Sequence, residues 1–358
     1  MGGVIMDELK NIDTSGVTNL NFKIPHRNWK QALAEAYVLM TTAMRGEVIC
    51  IYGPSRAGKS SLLQELRNAI CGNPKQNLGE MPFVMLEIDN NGGKAAFSYK
   101  AFLLDMLELI QHPVYSTRNA DSWSDLTKAK RNERATEVLL AQALVEGLRN
   151  LKTLFWVLDE AQHIRYAGKD VSASASAMDA IKNLAHKAKV ILVICGTYPV
   201  LQSINHSGHL ENRKHDVHLA RYRDSTEDLS EFIWILDSYN SALELAPSFG
   251  SLRDCAELLY RGSFGCIGSV RAILYRASVY AALEHTKISL DHIKRGLKAP
   301  NQLVTAAQEI RDGERLLGEA PCAVLDDVVT GHVAIAKQKS AGKPFQRKPK
   351  RYAAGNRL

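Results

Sequence analysis

Residues 53–60 read Gly53-Pro54-Ser55-Arg56-Ala57-Gly58-Lys59-Ser60 and match the pattern G-x-x-x-x-G-K-[ST]. Glycines in such a loop let consecutive backbone N–H groups turn inward around a phosphate chain without Cβ clashes. The lysine brings positive charge to the β- and γ-phosphates, the serine hydroxyl can bind Mg²⁺, and the next helix points its N-terminus at the anion. An apolar strand, EVICIY, precedes the loop, and an amphipathic stretch, SLLQELRNAI, follows it. We therefore predict a phosphate-binding loop between a strand and a helix, with nucleotide contacts continuing to Ser61.

A second apolar strand ends in two acids and reads TLFWVLDE over residues 153–160. Ligands of open α/β sheets bind at the carboxyl ends of the strands. We therefore expect Asp159 to hold Mg²⁺ through its water shell, and Glu160 to act as the general base that polarises the attacking water. A third apolar strand, residues 190–195, ends in Gly196-Thr197. Thr197 would lie between the two motifs, within reach of that water or the γ-phosphate.

Apolar strands alternate with helical periodicity up to about Asp224, which indicates a parallel sheet covered on both faces. The predicted strands are residues 47–52, 81–89, 153–158 and 190–195, with a weaker one at 216–222. The predicted helices before that point are residues 28–44, 60–70, 99–111, 133–150 and 177–188. Only helical patterns follow, at residues 229–245, 252–260, 267–285 and 289–297. The predicted division is a lead-in helix (1–45), an α/β nucleotide-binding domain (46–224), a helical lid (225–300), an extension (301–336) and a basic tail (337–358).

The charge of the chain is concentrated at one end. Lys and Arg total 45 against 38 acids, a net charge of +7, but residues 337–358 hold eight basic residues and no acid. The rest of the chain therefore has 37 basic against 38 acidic residues, a net charge of −1. The tail has two prolines and few apolar residues, so we predict that it is disordered. It could be an arm for nucleic acid or an acidic protein surface, or a solubilising end.

Composition excludes several classes of protein. No apolar run approaches 18 residues, and the N-terminal residues lack the pattern of a secretory signal, so we expect a cytoplasmic protein without a membrane partner. The six cysteines are scattered without a CxxC pair, which argues against a disulfide framework or a zinc site.

The order of these motifs resembles that of an AAA+ ATPase, with a five-stranded parallel sheet and a small helical lid. Three local stretches, DEAQHI (159–164), CGTYPVL (195–201) and ENRKHDVHLARYR (211–223), narrow the resemblance. They are similar to the TnsC/TniB ATPase regulators of Tn-seven-like transposons, a group that includes CRISPR-associated transposons. The resemblance extends over residues 24–283.

This resemblance implies roles for individual residues. Lys59 and Ser60 match Walker A, Asp159 and Glu160 match Walker B, and Thr197 matches sensor 1. Arg213 follows Asn212 as the family's arginine finger does, and would reach the γ-phosphate bound by a neighbouring subunit. Two further arginines, Arg221 and Arg223, compete for that role. Arg271, in GSFGCIGSVRAIL, resembles the sensor-2 arginine and would contact the nucleotide.

The resemblance also implies ligands and partners. These are ATP, Mg²⁺, double-stranded DNA, other copies of the chain in a ring or filament, a TniQ-type target-selection protein, and the transposase TnsA/TnsB. Hydrolysis would drive disassembly from target DNA. The residues expected to contact DNA are Lys94, Lys100, Lys128 and Lys130. Two alternatives remain: an ExeA-like secretion ATPase, which should add a membrane span or peptidoglycan-binding segment, and a replication initiator, which usually adds a winged helix.

Overall fold

The computed structural model of the chain describes residues 20, 22–72, 79–89, 97–117, 130–167, 171–205 and 214–318. Contacts divide the chain into a compact unit, Met1–Leu316, and a second unit, Leu317–Leu358. Everything described below belongs to the first unit. Within the described ranges, no helix combines the length and the apolar character needed to cross a membrane.

Five strands form one parallel sheet, which confirms the predicted fold class. They are β1 (Val48–Tyr52), β2 (Phe83–Glu87), β3 (Phe155–Asp159), β4 (Ile191–Gly196) and β5 (Lys214–His218). Their order across the sheet is β2-β3-β4-β1-β5. Every residue of β1, β3 and β4 is buried, because helices cover both faces of the sheet. This burial explains why the sequences of these strands are continuously apolar instead of alternating.

The register of the sheet brings the predicted motifs to one edge. Tyr52, the last residue of β1, is paired with Gly196 on one side and His218 on the other. Leu158 near the end of β3 is paired with Ile194 near the end of β4. Since all pairs are parallel, the phosphate-binding loop, the acidic pair and Thr197 leave the sheet at the same edge.

Eleven α-helices have assigned bounds within the described ranges. They are α1 (Arg27–Thr42), α2 (Lys59–Cys71), α3 (Tyr99–Leu109), α4 (Glu137–Asn150), α5 (Val171–Ala188), α6 (Val200–Asn205), α7 (Thr226–Asn240), α8 (Ala256–Ser263), α9 (Ile267–Leu283), α10 (Leu290–Gly296) and α11 (Pro300–Leu316). Two 3₁₀ segments, Ala161–Ala167 and Leu252–Cys255, follow β3 and precede α8.

Helices α7–α10 form the helical region that the sequence predicts after Asp224. They share a core that includes Phe232, Ile235, Val270 and Leu274, and Tyr222 from the segment after β5 joins it. Ser225 begins α7 by accepting a hydrogen bond from the backbone N–H of Asp228, so the helix starts three residues before the predicted position.

Other predicted boundaries also require correction. The predicted strand at 216–222 is β5 at Lys214–His218, and the predicted helix at 252–260 is a 3₁₀ segment followed by α8. Helix α11 lies where the sequence analysis predicted no element. Its buried residues are Ile310 and Gly313.

Candidate nucleotide-binding site

The phosphate-binding loop is held in a shape that requires its glycines. A Cβ on Gly53 would lie 2.4 Å from the backbone oxygen of Leu219, so β1 can leave the sheet beside this segment only with glycine at that position. Gly58 has φ +102° and Arg56 has φ +62°, both in the left-handed region. The loop therefore turns back on itself immediately before α2, as the sequence pattern predicts.

Lys59 is the first residue of α2 and is buried, with 5% of its surface exposed. Its Nζ donates hydrogen bonds to the backbone oxygens of Gly53, at 3.2 Å, and Pro54, at 2.9 Å. The ammonium group thus lies inside the loop. The N-cap residue, Gly58, has no side chain to occupy the first-turn N–H groups of α2, which suits this helix end to an anion.

The two halves of the predicted Mg²⁺ site are in contact. The Ser60 hydroxyl donates a hydrogen bond to Oδ2 of Asp159 at 2.8 Å, across 99 residues of sequence. The other carboxylate oxygen of Asp159 accepts from the backbone N–H of Glu160 at 2.8 Å, and the residue is 5% exposed. Hydroxyl and carboxylate oxygens are the ligands that Mg²⁺ prefers. The donor set therefore fits a magnesium ion.

The cysteine beneath this site is kept neutral. Cys195 is fully buried in β4. Burial, and then the negative charge of Asp159, raise the pKa of the Cys195 thiol well above its ordinary value. The described residues contain no cluster of three or more His, Cys, Asp or Glu side chains that could hold a metal ion. Among the described residues, the Ser60–Asp159 pair is therefore the metal assignment that the contacts support.

Glu160 and Thr197 are linked through a residue that the sequence analysis did not assign. The Gln162 side-chain amide donates a hydrogen bond to the Glu160 carboxylate, and its oxygen accepts from the backbone N–H of Thr197 at 3.0 Å. Gln162 and Thr197 are both 8% exposed. Glu160 itself has φ +53°, a strained conformation for a residue with a Cβ. The only sequence signal for Gln162 was its place in DEAQHI.

The first turn of helix α9 reaches the phosphate-binding loop. The backbone N–H of Gly268 donates to the backbone oxygen of Arg56 at 3.0 Å, and a Cβ on Gly268 would lie 2.3 Å from that oxygen. Arg271 follows one turn later, and its Nε donates to the backbone oxygen of Leu20 at 3.0 Å. The predicted sensor-2 arginine therefore lies on the helix that contacts the loop.

One of the competing finger arginines has a partner within the chain. Arg221 makes two hydrogen bonds to the Glu314 carboxylate of α11, at 2.8 and 3.0 Å. Burial alone would lower the pKa of Arg221, but the hydrogen bond and charge of Glu314 raise it overall. Arg223 lies 3.9 Å from the same carboxylate. Arg213, the predicted finger, lies outside the described residues.

A cleft of about 690 Å³ lies beside these groups. Glu160, Gln162 and Thr197 line one side, and residues of α11, including Thr305 and Asp312, line another. Helix α11 lies against the core at Gly313, where an added Cβ would be 2.0 Å from Cγ of Tyr198. Tyr198 follows Thr197 directly, so α11 contacts the residue next to the predicted sensor.

Two of the four lysines predicted to contact DNA lie in the described ranges. Lys100 is on the first turn of α3, and its Nζ donates to the backbone oxygen of Glu133 at 2.6 Å. Lys130 is exposed at the start of a short helical segment, residues 130–134, which also contains Glu133. Lys94 and Lys128 lie outside the described residues.

The strand order, the loop after β1 and the acidic end of β3 define the fold of an AAA+ P-loop ATPase. Residues 43–204, which begin just before β1 and end in α6, match the family model described as an AAA domain. The family model and the sheet topology therefore agree on the fold of this part of the chain. Comparison with curated proteins gave no match.

Solved structures show the same fold. The ORC1 protein of Aeropyrum pernix, solved in complex with DNA, matches with a TM-score of 0.52 and 13% identity, covering 78% of this chain and 68% of that one. The ORC2 protein of the same organism, in complexes with ADPNP and ADP, matches with a TM-score of 0.50 and 16% identity, covering 78% and 70%. At such identities the likeness establishes the fold alone.

Proposed function

We propose that this protein is a Mg²⁺-dependent ATPase that regulates DNA transposition. The observation that carries the ATPase assignment is the contact between the two motifs at one sheet edge. Ser60, at the end of the phosphate-binding loop, is hydrogen-bonded to Asp159, at the end of β3. The buried Lys59 ammonium precedes Ser60 and the Glu160 carboxylate follows Asp159. Anion-binding, metal-binding and proton-accepting groups are thus adjacent.

Each residue has a defined task in this proposal. The loop amides and Lys59 bind the phosphate chain of ATP. Ser60 and Asp159 hold Mg²⁺, which when bound supplies positive charge to the phosphate oxygens. Glu160 accepts a proton from the attacking water, and Thr197 orients that water or the γ-phosphate. We also propose that Arg213 acts across a subunit boundary, because the chain resembles a family in which the matching arginine does so.

The transposition assignment rests on the sequence stretches that follow β3 and β4. DEAQHI begins at Asp159, and CGTYPVL begins at Cys195, so both stretches surround the proposed catalytic groups. We infer that the chain assembles as a ring or filament on double-stranded DNA in the ATP-bound state. It then links a TniQ-type protein to the transposase TnsA/TnsB, and hydrolysis disassembles it. The proposal assigns contact with DNA phosphates to Lys94, Lys100, Lys128 and Lys130, of which Lys130 is exposed at the surface.

The proposal also gives the predicted segments separate tasks. Residues 46–224 bind the nucleotide, residues 225–300 act as the lid, and the basic tail, residues 337–358, reaches a partner. The contact of Gly268 with the loop supports a lid that responds to the nucleotide, since α9 would move if the loop moved.

A replication initiator is the second candidate, because a structure with the same fold, the ORC1 protein of Aeropyrum pernix, was solved in complex with DNA. Electron microscopy with duplex DNA of arbitrary sequence, with and without a non-hydrolysable ATP analogue, separates the two. A transposition regulator should form rings or filaments on any duplex only with the analogue. Binding confined to particular sequences would favour an initiator. No nucleotide-dependent assembly on any duplex would contradict both.

A further inference from the structure

Gln162 joins the proposed base to the proposed sensor, although it belongs to neither motif pattern. Its side chain is 8% exposed and lies between Glu160, two residues before it, and Thr197, 35 residues after it. Its amide nitrogen donates to Oε2 of Glu160, and its amide oxygen accepts from the Thr197 backbone N–H at 3.0 Å. Both ends of one short side chain are therefore occupied.

The chemistry of the partners fixes which way the amide faces. A backbone N–H can only donate, so the group that meets Thr197 must be the amide oxygen. The amide NH₂ then has to face Glu160, where it meets a carboxylate that can only accept when ionised. A hydrogen bond to a charged group is about twice as strong as one between neutral groups. Gln162 thus holds Oε2 of Glu160 from the side of β4.

Gly196 makes this arrangement possible. A Cβ at that position would lie 2.6 Å from the Gln162 amide oxygen and 3.3 Å from its backbone nitrogen. Any larger residue at the end of β4 would expel the Gln162 amide from its place. The glycine before Thr197 therefore leaves room for the amide.

The second oxygen of Glu160 remains available. Across the part of the chain that the structure describes, no residue hydrogen-bonds to Oε1 of Glu160, and Glu160 lines the cleft. A carboxylate anchored by one oxygen and open at the other is suited to accept a proton from a water at a fixed position. Errors of about 1 Å in such a position cost roughly 100-fold in rate.

We propose that Gln162 is a positioning residue, which holds the Glu160 carboxylate in its proton-accepting orientation and ties that orientation to Thr197. This inference rests on the proposed ATPase function. It predicts that any change at the sensor strand that moves the Thr197 amide also moves the base. Gln162 makes no proton transfer itself, so its loss should lower kcat while leaving nucleotide affinity nearly unchanged.

The test compares two substitutions of nearly the same size. Gln162→Glu keeps an oxygen for the Thr197 N–H but places a second carboxylate oxygen against Glu160. Gln162→Leu removes both contacts. We expect kcat of Gln162→Glu at pH 8 to fall about 10- to 100-fold, because one hydrogen bond to a charged group is lost. KM for ATP should stay within about threefold, since the Gln162 side chain is hydrogen-bonded to Glu160 and Thr197 and, in the described part of the chain, to no residue of the phosphate-binding loop.

The split between kcat and KM distinguishes positioning from general damage. A substitution that loosens the whole site should change kcat and KM for ATP together, whereas loss of the Glu160 orientation should lower kcat alone.

Gly196→Ala provides an independent variant, because it displaces the Gln162 amide without changing any polar group. Its kcat should fall as that of Gln162→Leu does. The inference is overturned if Gln162→Glu keeps kcat within twofold of the parent, or if KM for ATP changes as much as kcat does. Glu160→Gln is the benchmark: if it and the parent hydrolyse ATP at the same rate, the assignment of Glu160 as the base fails, and if the parent hydrolyses no ATP, the ATPase proposal itself fails. A loss in Glu160→Gln with none in Gln162→Glu rejects only the role of Gln162.

Discussion

Gly313→Ala should release helix α11 from the nucleotide-binding unit. The added Cβ would lie 2.0 Å from Cγ and 2.3 Å from Cβ of Tyr198. These atoms are the root of a fully buried ring whose hydroxyl is hydrogen-bonded to Nε2 of His218 at 3.0 Å. The tyrosine therefore cannot turn aside, so the helix has to move. Since α11 lines the cleft beside Glu160, its release would also open that side of the candidate site.

The magnitude follows from what holds α11 in place. Burial of Ile310 contributes about 1.5–3 kcal/mol. The half-buried ion pair between Glu314 and Arg221 contributes about 1.5–3 kcal/mol. Losing about 3 kcal/mol of these contacts would raise the population of the undocked helix about 100-fold. An undocked helix of 17 residues is marginal in water, so its amides should exchange about 100-fold faster.

Hydrogen exchange measured by mass spectrometry over residues 300–316 tests this prediction, because the exchange rate changes in opposite directions with and without the contact. If α11 did not approach Tyr198 closely, alanine would favour the helix by about 1 kcal/mol, and exchange would slow about fivefold. Faster exchange supports the contact, and slower or unchanged exchange refutes it. Arg311→Ala is the matched control, because it is an alanine substitution on an exposed position of the same helix. It should change exchange by less than about twofold.

Four further predictions concern the wider molecule. Glu160→Gln should bind ATP but hydrolyse it at least 100-fold more slowly, and should accumulate as a DNA-bound oligomer, whereas Lys59→Ala should weaken nucleotide binding itself. Mixing Arg213→Ala with Lys59→Ala subunits should restore ATPase activity above either alone, and no recovery in co-assembled mixtures would argue against a finger acting in trans. Burial lowers the pKa of His26 to about 4 from its usual 6.5, so the stability that its neutral form provides is complete above pH 6.5 and falls by about 1 kcal/mol per pH unit towards pH 4. His26→Asn, which keeps an acceptor for the Trp29 N–H, should flatten this dependence in urea titrations. Removing residues 337–358 should leave ATPase activity and DNA binding intact but abolish transposition in a reconstituted assay; weaker DNA binding with a flatter salt dependence would assign the tail to DNA instead.

The sequence predicted those parts of the site that depend on short stretches of chain. The loop around Lys59 and the acids Asp159 and Glu160 follow strands whose unbroken apolar sequences mark burial on both faces. All strands of a parallel sheet end at the same edge. The prediction of a parallel sheet therefore also predicts that the loop and the two acids lie close together. The contact of the Ser60 hydroxyl with Asp159 needed no information beyond these two motifs.

The parts that were missed depend on pairs distant in sequence. Arg221 was a rival candidate for the arginine finger, because an arginine beside a strand end is typical both of arginine fingers and of arginines that form ion pairs within the chain. Its partner, Glu314, lies 93 residues later on a helix with two buried residues, and the periodicity of a single helix does not predict a contact between two such distant residues. Gly313 was part of the same difficulty: a glycine within a polar stretch usually indicates a break, yet here the missing Cβ lets the helix reach Tyr198.

The position of Gln162 can be explained from a few residues of sequence once the fold is known. Within DEAQHI the glutamine is two residues from the proposed base, and the sequence alone would place a polar side chain at that position on the surface. The 3₁₀ segment after β3 turns it inward beneath β4, where the bare Gly196 leaves room for its amide. The strained φ of Glu160 marks the place where the chain leaves the sheet to make that turn. The positions of Gln162 and Gly196 are thus explained by one requirement, an amide that contacts both the base and the neighbouring strand.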